Sequence, residues 1–470
     1  MTTTLRKTKI ICTLGPATES PERLREMILA GTNIFRLNMS HAQHDWVRQI
    51  VPTIRKIAAE LDMPIGILLD TQGPAVRTGD LPTKLDLKVG DIMEFTVRGA
   101  RSEEIYSVNV NYDGLIDDIN EGDVVLVDNG VIHLKVLSKI NNRIRCEVLT
   151  PGALGSRRHI NLPGVKVNLP PLTEKDLADI AVGTEVGVDF VALSFCREPS
   201  DIVEMRRVLA LHNSKARVIA KIEDQSAVKL ITEIIKETDA VMIARGDLGI
   251  ECPMEELPII QRKILKIALK IGKQVIVATH MLESMIENPV PTRAEVTDVA
   301  NAVFEQTDAI MLSGETTVGK YPVDCVKVLD RIARRIERSG SAHFAEQTSL
   351  LTPRQKTAHS GVVLANSFSK ASIAVLTRHG DMADYTSHIR PEHAIIYAIT
   401  PSEVTARHLT LNWGVMPLVM PFGATPEESV KKAEELLLSR GLLNKGDQLI
   451  VMSDIIEGDE KFDSIQLRKI

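Results

Sequence analysis

A lysine, two carboxylates and a glycine stand at the ends of two consecutive apolar runs. Lys221-Ile222-Glu223 closes the run Val218–Glu223, and Ala244-Arg245-Gly246-Asp247 closes and continues Ala240–Arg245. On an extended strand, residues two apart face the same side, so Lys221 and Glu223 share a face while Ile222 points away. Asp247 arrives from the neighbouring run. Two carboxylates at adjacent strand ends suit Mg²⁺ or Mn²⁺, hard ions that take oxygen ligands and leave positions for water and substrate phosphate. A lysine beside such an ion suits phosphoryl transfer, where catalysis is mostly positioning and charge neutralisation. A Lys-x-Glu pair by itself is more often a solvated ion pair. This one ends an apolar strand, where a charge without a partner would be costly.

Further polar groups close other runs. Arg36-Leu37-Asn38-Met39-Ser40-His41 ends the run Asn33–Asn38, with Arg36, Asn38 and Ser40 on one face, and Asp70-Thr71 ends Ile65–Asp70. The neutral oxygens of Asn38, Ser40 and Thr71 with the single carboxylate of Asp70 make a low-charge cage, better matched to a monovalent cation than to Mg²⁺. Arg36 offers a forked donor for phosphate. The competing reading is that Asn38 and Ser40 merely cap the next helix. Gly246 stands where a loop turns into a helix, a place where backbone N–H groups can face a substrate carboxylate. Thr279, closing Val275–Thr279, could bind that carboxylate or pass a proton through water. Ser313-Gly314-Glu315 closes Ala309–Ser313, either at substrate or as an acid decorating a helix N-terminus. The stretch Gly314–Tyr321 has the spacing of a phosphate-binding loop, but Tyr321 replaces the Ser or Thr that would hold Mg²⁺ and Glu315 lies where phosphates would sit.

These ends need a scaffold that brings them together. Eight apolar runs, Thr8–Thr13, Asn33–Asn38, Ile65–Asp70, Val188–Ser194, Val218–Glu223, Ala240–Arg245, Val275–Thr279 and Ala309–Ser313, alternate with stretches of helical length. They read as the strands of a (β/α)8 TIM barrel, an architecture whose catalytic groups sit where the strands end. Ser20-Pro21 is a cap followed by proline at the first helical position, and Trp46–Leu61 carries an apolar stripe at helical spacing.

After the third run, from about Gln72 to Lys166, the pattern turns to β only: Leu85–Val89, Ile92–Val97, Tyr106–Val110, Val124–Val127, Val131–Val136 and Arg143–Leu149 are broken by Gly-Asp and Asn-Asn turns. A small inserted β-barrel domain beside the strand ends is placed to act as a lid. The last barrel helix is expected near Pro322–Arg338 and a linker over Ser339–Thr357. Strands Ala371–Leu376, Ala394–Ile399, Val415–Met420, Gln448–Met452 and Ile465–Lys469 then alternate with helices, among them Pro426–Ser439, which opens on a capping-box pattern. The expected division is a catalytic barrel over 1–71 and 167–340, a lid over 72–166, and a C-terminal α/β domain over 355–470 for regulation and assembly.

The 470 residues are 44% hydrophobic, enough for several cores, and 56 basic against 62 acidic residues leave a formal charge of −6. With no long run of either sign, neither nucleic acid nor a membrane surface is an expected partner. No apolar run reaches the roughly 18 residues of a membrane span. Cys12, Cys146, Cys196, Cys252 and Cys325 are scattered without zinc spacing, which fits a reduced compartment. The chain enters a strand pattern by Ile10, leaving no room for a signal peptide. The expectation is a cytoplasmic protein acting on small molecules.

In this order, the strings Lys9–Thr18, Phe35–His41, Leu69–Gly79, Asn161–Gly164, Lys221–Glu223, Ala244–Gly249, Met281–Met285 with Pro291–Glu295, and Met311–Glu315 closely resemble the pyruvate kinases over almost the whole chain. That family is built as a barrel, a β lid inserted after the third strand, and a C-terminal α/β domain. The resemblance implies phosphoryl transfer from phosphoenolpyruvate to ADP, giving ATP and, after protonation of the enolate, pyruvate, in a homotetramer. It places Glu223 and Asp247 on the divalent metal and Asn38, Ser40, Asp70 and Thr71 on K⁺. It puts Lys221 on the transferring phosphoryl group and Arg36 on phosphate. Gly246, Asp247 and Thr279 fall at the substrate carboxylate, with Ser313 and Glu315 nearby, and Asn38, His41, Arg77 and Arg158 at nucleotide.

The chain departs from the family pattern at several points. Ala75 stands where Glu or Lys is usual, a position linked to K⁺ requirement, and His280 replaces a usual Gln. In the lid, Arg157-Arg158-His159 replaces a usual Lys-Gly, and Asp128-Asn129 a usual Asp pair. In the C-terminal domain, Asp381, Glu457, Asp459 and Glu460 would repel the phosphates of fructose 1,6-bisphosphate, so activation by that sugar at the family's usual site is not expected. Two alternatives share the barrel and its acidic strand ends: a Mg²⁺-dependent pyruvate-enolate lyase or aldolase, and a non-catalytic metabolite sensor. Lys221, the cage and the inserted lid favour the kinase.

Overall fold

The computed structural model describes residues 5–457 and 460–470, with the side chains of 454–461 outside that description. The expected acidic positions Glu457, Asp459 and Glu460 therefore lie outside the described side chains. Eight strands, Lys9–Thr13, Ile34–Asn38, Gly66–Asp70, Phe190–Leu193, Arg217–Ile222, Ala240–Ala244, Gln274–Ala278 and Ala309–Leu312, close into a parallel barrel in which each pairs with its sequential neighbours. Nearly every strand residue is buried, because one face meets the barrel interior and the other the surrounding helices. Inside lie Ile11, Ile34, Leu68, Phe190, Ile219, Met242, Ile276 and Met311. Outside, helix His44–Glu60 buries Val47, Ile50, Val51, Ile54 and Ile57, the spacing of one helical face. Helix Pro21–Ala30 starts as its sequence indicates: Ser20 Oγ accepts the Arg23 amide and Pro21 takes the first position.

Register decides which strand ends meet. Asn38 lies directly opposite Asp70 on the neighbouring strand, and Lys221 is opposite Met242, two residues before the strand end at Ala244 that feeds Arg245–Asp247.

Between the third and fourth barrel strands the chain leaves to form a separate β domain. Its main sheet runs in the order Ile160–Asn161, Val124–Val127, Ile132–Ile140, Arg143–Val148, Ile92–Thr96, Tyr106–Asn109, beside a two-stranded sheet of Gly152–Leu154 and Leu85–Leu87. Asn141 and Asn142, both at positive φ (51° and 63°), make the tight turn between two long strands. Met93, Phe95, Val125, Leu134, Ile144 and Val148 fill the core of this domain.

The C-terminal sheet orders Val415–Val419, Ile396–Thr400, Ala371–Leu376, Gln448–Glu457 and Glu460–Lys469, the last antiparallel to its neighbour. The final two strands thus form a hairpin rather than alternating with a helix. The expected linker is also partly ordered structure: helix Pro353–Asn366 begins within it, capped reciprocally by Thr352 and Gln355. Its packed face is Ala358, Gly361, Val362 and Ala365, small residues that give no visible apolar stripe. A Cβ on Gly361 would fall 2.0 Å from Met452 Cε, so the Met452 side chain fills the space beside the glycine. Leu411 of this domain enters the barrel's inner core from below, and buried pairs Arg390–Asp308 (2.8 Å) and Arg407–Asp189 (2.7 Å) tie the two units together. Among the described residues no helix is long and apolar enough to cross a membrane.

Candidate active site

The carboxyl ends of the barrel strands and the inner edge of the lid enclose a cleft of about 310 Å³. Its wall brings together Arg36, Asn38, Ser40, Thr71, Arg77, Arg158, Lys221, Glu223 and Asp247, nine of the residues singled out from sequence. Asp70 lies beneath them, fully buried.

Asp70 organises the cationic side. Its Oδ2 accepts from Arg36 Nε at 2.6 Å and its Oδ1 lies 3.2 Å from Lys221 Nζ. Arg36 also donates from Nη1 to Thr13 Oγ1 at 3.0 Å, and among the described residues its Nη2 has no protein partner. Burial would raise the Asp70 carboxyl, but Lys221 and Arg36 outweigh it and hold the group below its ordinary range. Burial likewise works against the Lys221 ammonium, yet Asp70 and then Glu223 keep its pKa above the usual lysine value. Lys221 therefore carries a full positive charge in the cleft.

Ser194, which ends the fourth run, joins this network. Its Oγ accepts from Lys221 Nζ at 2.7 Å, lies 3.3 Å from Asp70 Oδ1 and donates to the Thr71 carbonyl at 2.7 Å, while its amide donates to Thr71 Oγ1 at 3.1 Å. Sequence reasoning placed Ser194 at a strand end but gave it no role, since a lone hydroxyl carries no signal beyond that position.

Glu223 faces both ways. Oε1 lies 2.9 Å from Lys221 and Oε2 accepts the Phe195 amide at 2.5 Å. Burial pushes its carboxyl up to about 7, with Lys221 opposing and Asp247 adding to the rise. Burial, with the like charge of Asp247, thus outweighs the lysine that touches Glu223. A hard divalent cation between Glu223 and Asp247 would supply opposing positive charge, so the donor set fits one.

At the next strand end Gly246 N–H donates to Thr279 Oγ1 at 2.7 Å, and the Thr279 hydroxyl donates to the Ala278 carbonyl at 2.6 Å. The two groups expected to meet a carboxylate are bonded to each other. Thr279 (φ 69°) and His280 (φ 56°) both adopt left-handed backbone, as does Phe195 (φ 52°). Such conformations cost about 1–3 kcal/mol each in a non-glycine residue and concentrate at functional sites. Arg245, unassigned from sequence, holds this loop with a two-pronged bridge to Asp298 (2.7 Å at each nitrogen) and a bond to the Thr279 carbonyl.

Five expected residues are not in the cleft wall: Gly246 and Thr279, which are bonded to each other, and Glu315, Ser313 and His41. Glu315 is buried with its oxygens taken by the amides of Leu282 (3.0 Å) and Ser313 (2.7 Å), so it clamps two loops rather than facing a ligand. Ser313 Oγ is enclosed without a hydrogen-bond partner among the described residues, and His41 is exposed beside the cleft, its amide bonded to the Asn38 carbonyl. The capping alternative for Asn38 and Ser40 does not hold either: the next helix, His44–Glu60, is capped at Gln43, while Asn38 Oδ1 accepts the Ser40 amide at 3.2 Å.

Comparison with known proteins agrees with this arrangement. The family model "Pyruvate kinase, barrel domain" matches residues 5–326 and "Pyruvate kinase, alpha/beta domain" matches 355–466. The chain is 39% identical over 469 residues to a pyruvate kinase of Staphylococcus epidermidis, covering 97% of this chain and 79% of that protein. It is 41% identical over 471 residues to one of Sporosarcina psychrophila, with the same coverage. To the chloroplastic pyruvate kinase isozyme G of Nicotiana tabacum it is 42% identical over 458 residues, covering 95% and 80%. With a strand-end lysine and paired carboxylates set in a barrel that carries an inserted β lid, the chain belongs to the pyruvate kinase family.

Proposed function

We propose that the chain transfers the phosphoryl group of phosphoenolpyruvate to ADP and releases pyruvate and ATP. The observation that carries this reading is the meeting of Lys221 with the Glu223–Asp247 pair in one wall of a cleft also lined by Arg36, Arg77 and Arg158. Both substrates are polyanions, and bringing them within bonding distance demands several fixed positive charges in a site shielded from water. Glu223 and Asp247 would hold Mg²⁺ or Mn²⁺, which when bound neutralises phosphate charge and orients the reacting oxygens.

Lys221 supports the phosphoryl group as it leaves the enolate oxygen, and Arg36 steadies it through the guanidinium edge left open by Asp70 and Thr13. The backbone amides of Gly246 and Asp247, with Thr279, take the substrate carboxylate. Thr279 does so by turning its hydroxyl from the Ala278 carbonyl to the substrate. After phosphoryl transfer, a water bonded to that hydroxyl gives a proton to the enolate carbon and takes the hydroxyl proton in its place, and solvent water then reprotonates Thr279. Arg77 and Arg158 on the lid side meet the nucleotide phosphates. Asn38, Ser40, Asp70 and Thr71 form the K⁺ cage, and Ala75 in the cleft wall adds no charge that would replace the ion. Equal rates in K⁺ and in a large organic cation would contradict that assignment.

In the C-terminal domain Thr377 Oγ1 is engaged by the Gly380 amide and Asp381 is exposed at the start of helix Asp381–His388. Activation by fructose 1,6-bisphosphate at that loop is not expected. A saturable activation curve removed by changes at 377–381 would overturn this. Assembly as a homotetramer is tested by sedimentation equilibrium. The reaction is tested by steady-state formation of pyruvate with ADP, Mg²⁺ and K⁺ each varied. No turnover with every component present would overturn the proposal.

A further inference from the structure

Phe195 is gripped by both chain crossings between barrel and lid. On the outgoing side, a Cβ built on Gly73 (φ 72°) would lie 2.9 Å from Phe195 Cδ2, so the backbone there passes directly against the ring. Gly73 is fixed in turn by its amide bond to Asp176 Oδ1 at 3.1 Å. On the returning side, the His159 ring packs against Phe195 with centroids 5.8 Å apart and planes tilted by 48°. His159 belongs to the lid: it bridges to Arg77 and its carbonyl accepts the Asp128 amide. Its side chain stands in the wall shared by the active-site cleft and a smaller cavity between lid and barrel.

What Phe195 does with this grip is specific. Its left-handed backbone, φ 52°, aims its amide at Glu223 Oε2. A bulky residue keeps such a conformation only where its surroundings over-determine it. The surroundings here are the Gly73 backbone and the His159 ring. Gly73 stays with the barrel through Asp176, whereas His159 travels with the lid.

We propose that His159 is a positioning residue which couples lid closure to divalent-cation binding: packed against Phe195, it holds the amide that orients Glu223. The proposal rests on the reading of Glu223 and Asp247 as cation ligands. Groups behind metal ligands typically change affinity by 10- to 100-fold when removed. Coupling of this kind is reciprocal, so a cation on Glu223 favours the closed lid by the same factor that closure favours the cation.

The test uses Mn²⁺ alone with the full-length protein, its binding followed by electron paramagnetic resonance without substrates. Relative to wild type, His159→Ala should weaken Mn²⁺ binding about tenfold and raise proteolytic cutting at the crossings near 73 and 159. His159→Phe, which keeps a flat ring against Phe195, should restore affinity to within about twofold. Wild-type affinity in His159→Ala would overturn the coupling alone. Weak binding by His159→Phe, with its melting temperature unchanged, would also overturn it, since the role would then belong to the imidazole nitrogens. A wild-type chain that binds no Mn²⁺ would overturn the metal reading and this proposal with it.

Discussion

Lys221 and Arg36 are held by opposite oxygens of one buried carboxylate, that of Asp70. The residue expected from sequence in a K⁺ cage is therefore also the anchor of the two cations proposed to meet the phosphates. Asp70→Asn leaves two buried positive groups with less counter-charge. Unpairing a buried ion in this way costs roughly 3–5 kcal/mol. The variant should show that loss in urea unfolding together with a fall in kcat. Unchanged stability would mean that Arg36 and Lys221 do not depend on it.

Ser194→Ala removes the only neutral oxygen that Lys221 touches among the described residues. A hydrogen bond to a charged group contributes about 1.5–3 kcal/mol, so kcat should drop roughly 10- to 100-fold while the KM for ADP changes little. An equal rise in both KM values with kcat intact would show that Ser194 binds rather than positions.

Much of this site could be read from strand ends. Lys221, Glu223 and Asp247 announce themselves because charge at the end of an apolar strand demands a partner, and strand periodicity says which way it points. The barrel was legible for the same reason. Glu315 misled because its partners are backbone amides of Leu282 and Ser313: every residue has an amide, and only tertiary placement says which one a carboxylate reaches. Helix Pro353–Asn366 was hidden because its packed face is alanine and glycine. Phe195 was hidden because its contribution is a backbone angle, which side-chain type does not reveal.

Glu251, whose carboxylate accepts the lid's Asn161 Nδ2 at 2.9 Å, is pushed up to about 7, chiefly by burial. Between its ordinary value of 4.5 and about 7 the folded state holds a proton that the unfolded state has lost. Stability from this group therefore falls as pH rises through that window. Glu251→Gln keeps an acceptor for Asn161 without the titration. In chelator, it should match wild type near pH 4.5 and exceed it near pH 8 by about 3 kcal/mol. A difference independent of pH would contradict this.

His388 and His408, between the barrel floor and the C-terminal domain, have buried Nε2 atoms without hydrogen-bond partners among the described residues, and burial lowers both to about 4. The unfolded chain binds protons there first as pH drops, so their contribution is intact above 6.5 and is lost progressively toward 4. Replacing both by Leu should flatten the acid limb of the thermal unfolding midpoint between those pH values. An unaltered acid limb would place the acid sensitivity elsewhere.

The most direct test of the account compares wild type with Lys221→Met in one assay, measuring pyruvate and ATP formed from phosphoenolpyruvate and ADP with Mg²⁺ and K⁺ present. Wild type should form the two products in equal amounts, and Lys221→Met should lose at least about 10³-fold in kcat with its unfolding transition retained. Near-normal turnover in Lys221→Met would contradict the role given to this lysine, and pyruvate without matching ATP would contradict the reaction itself.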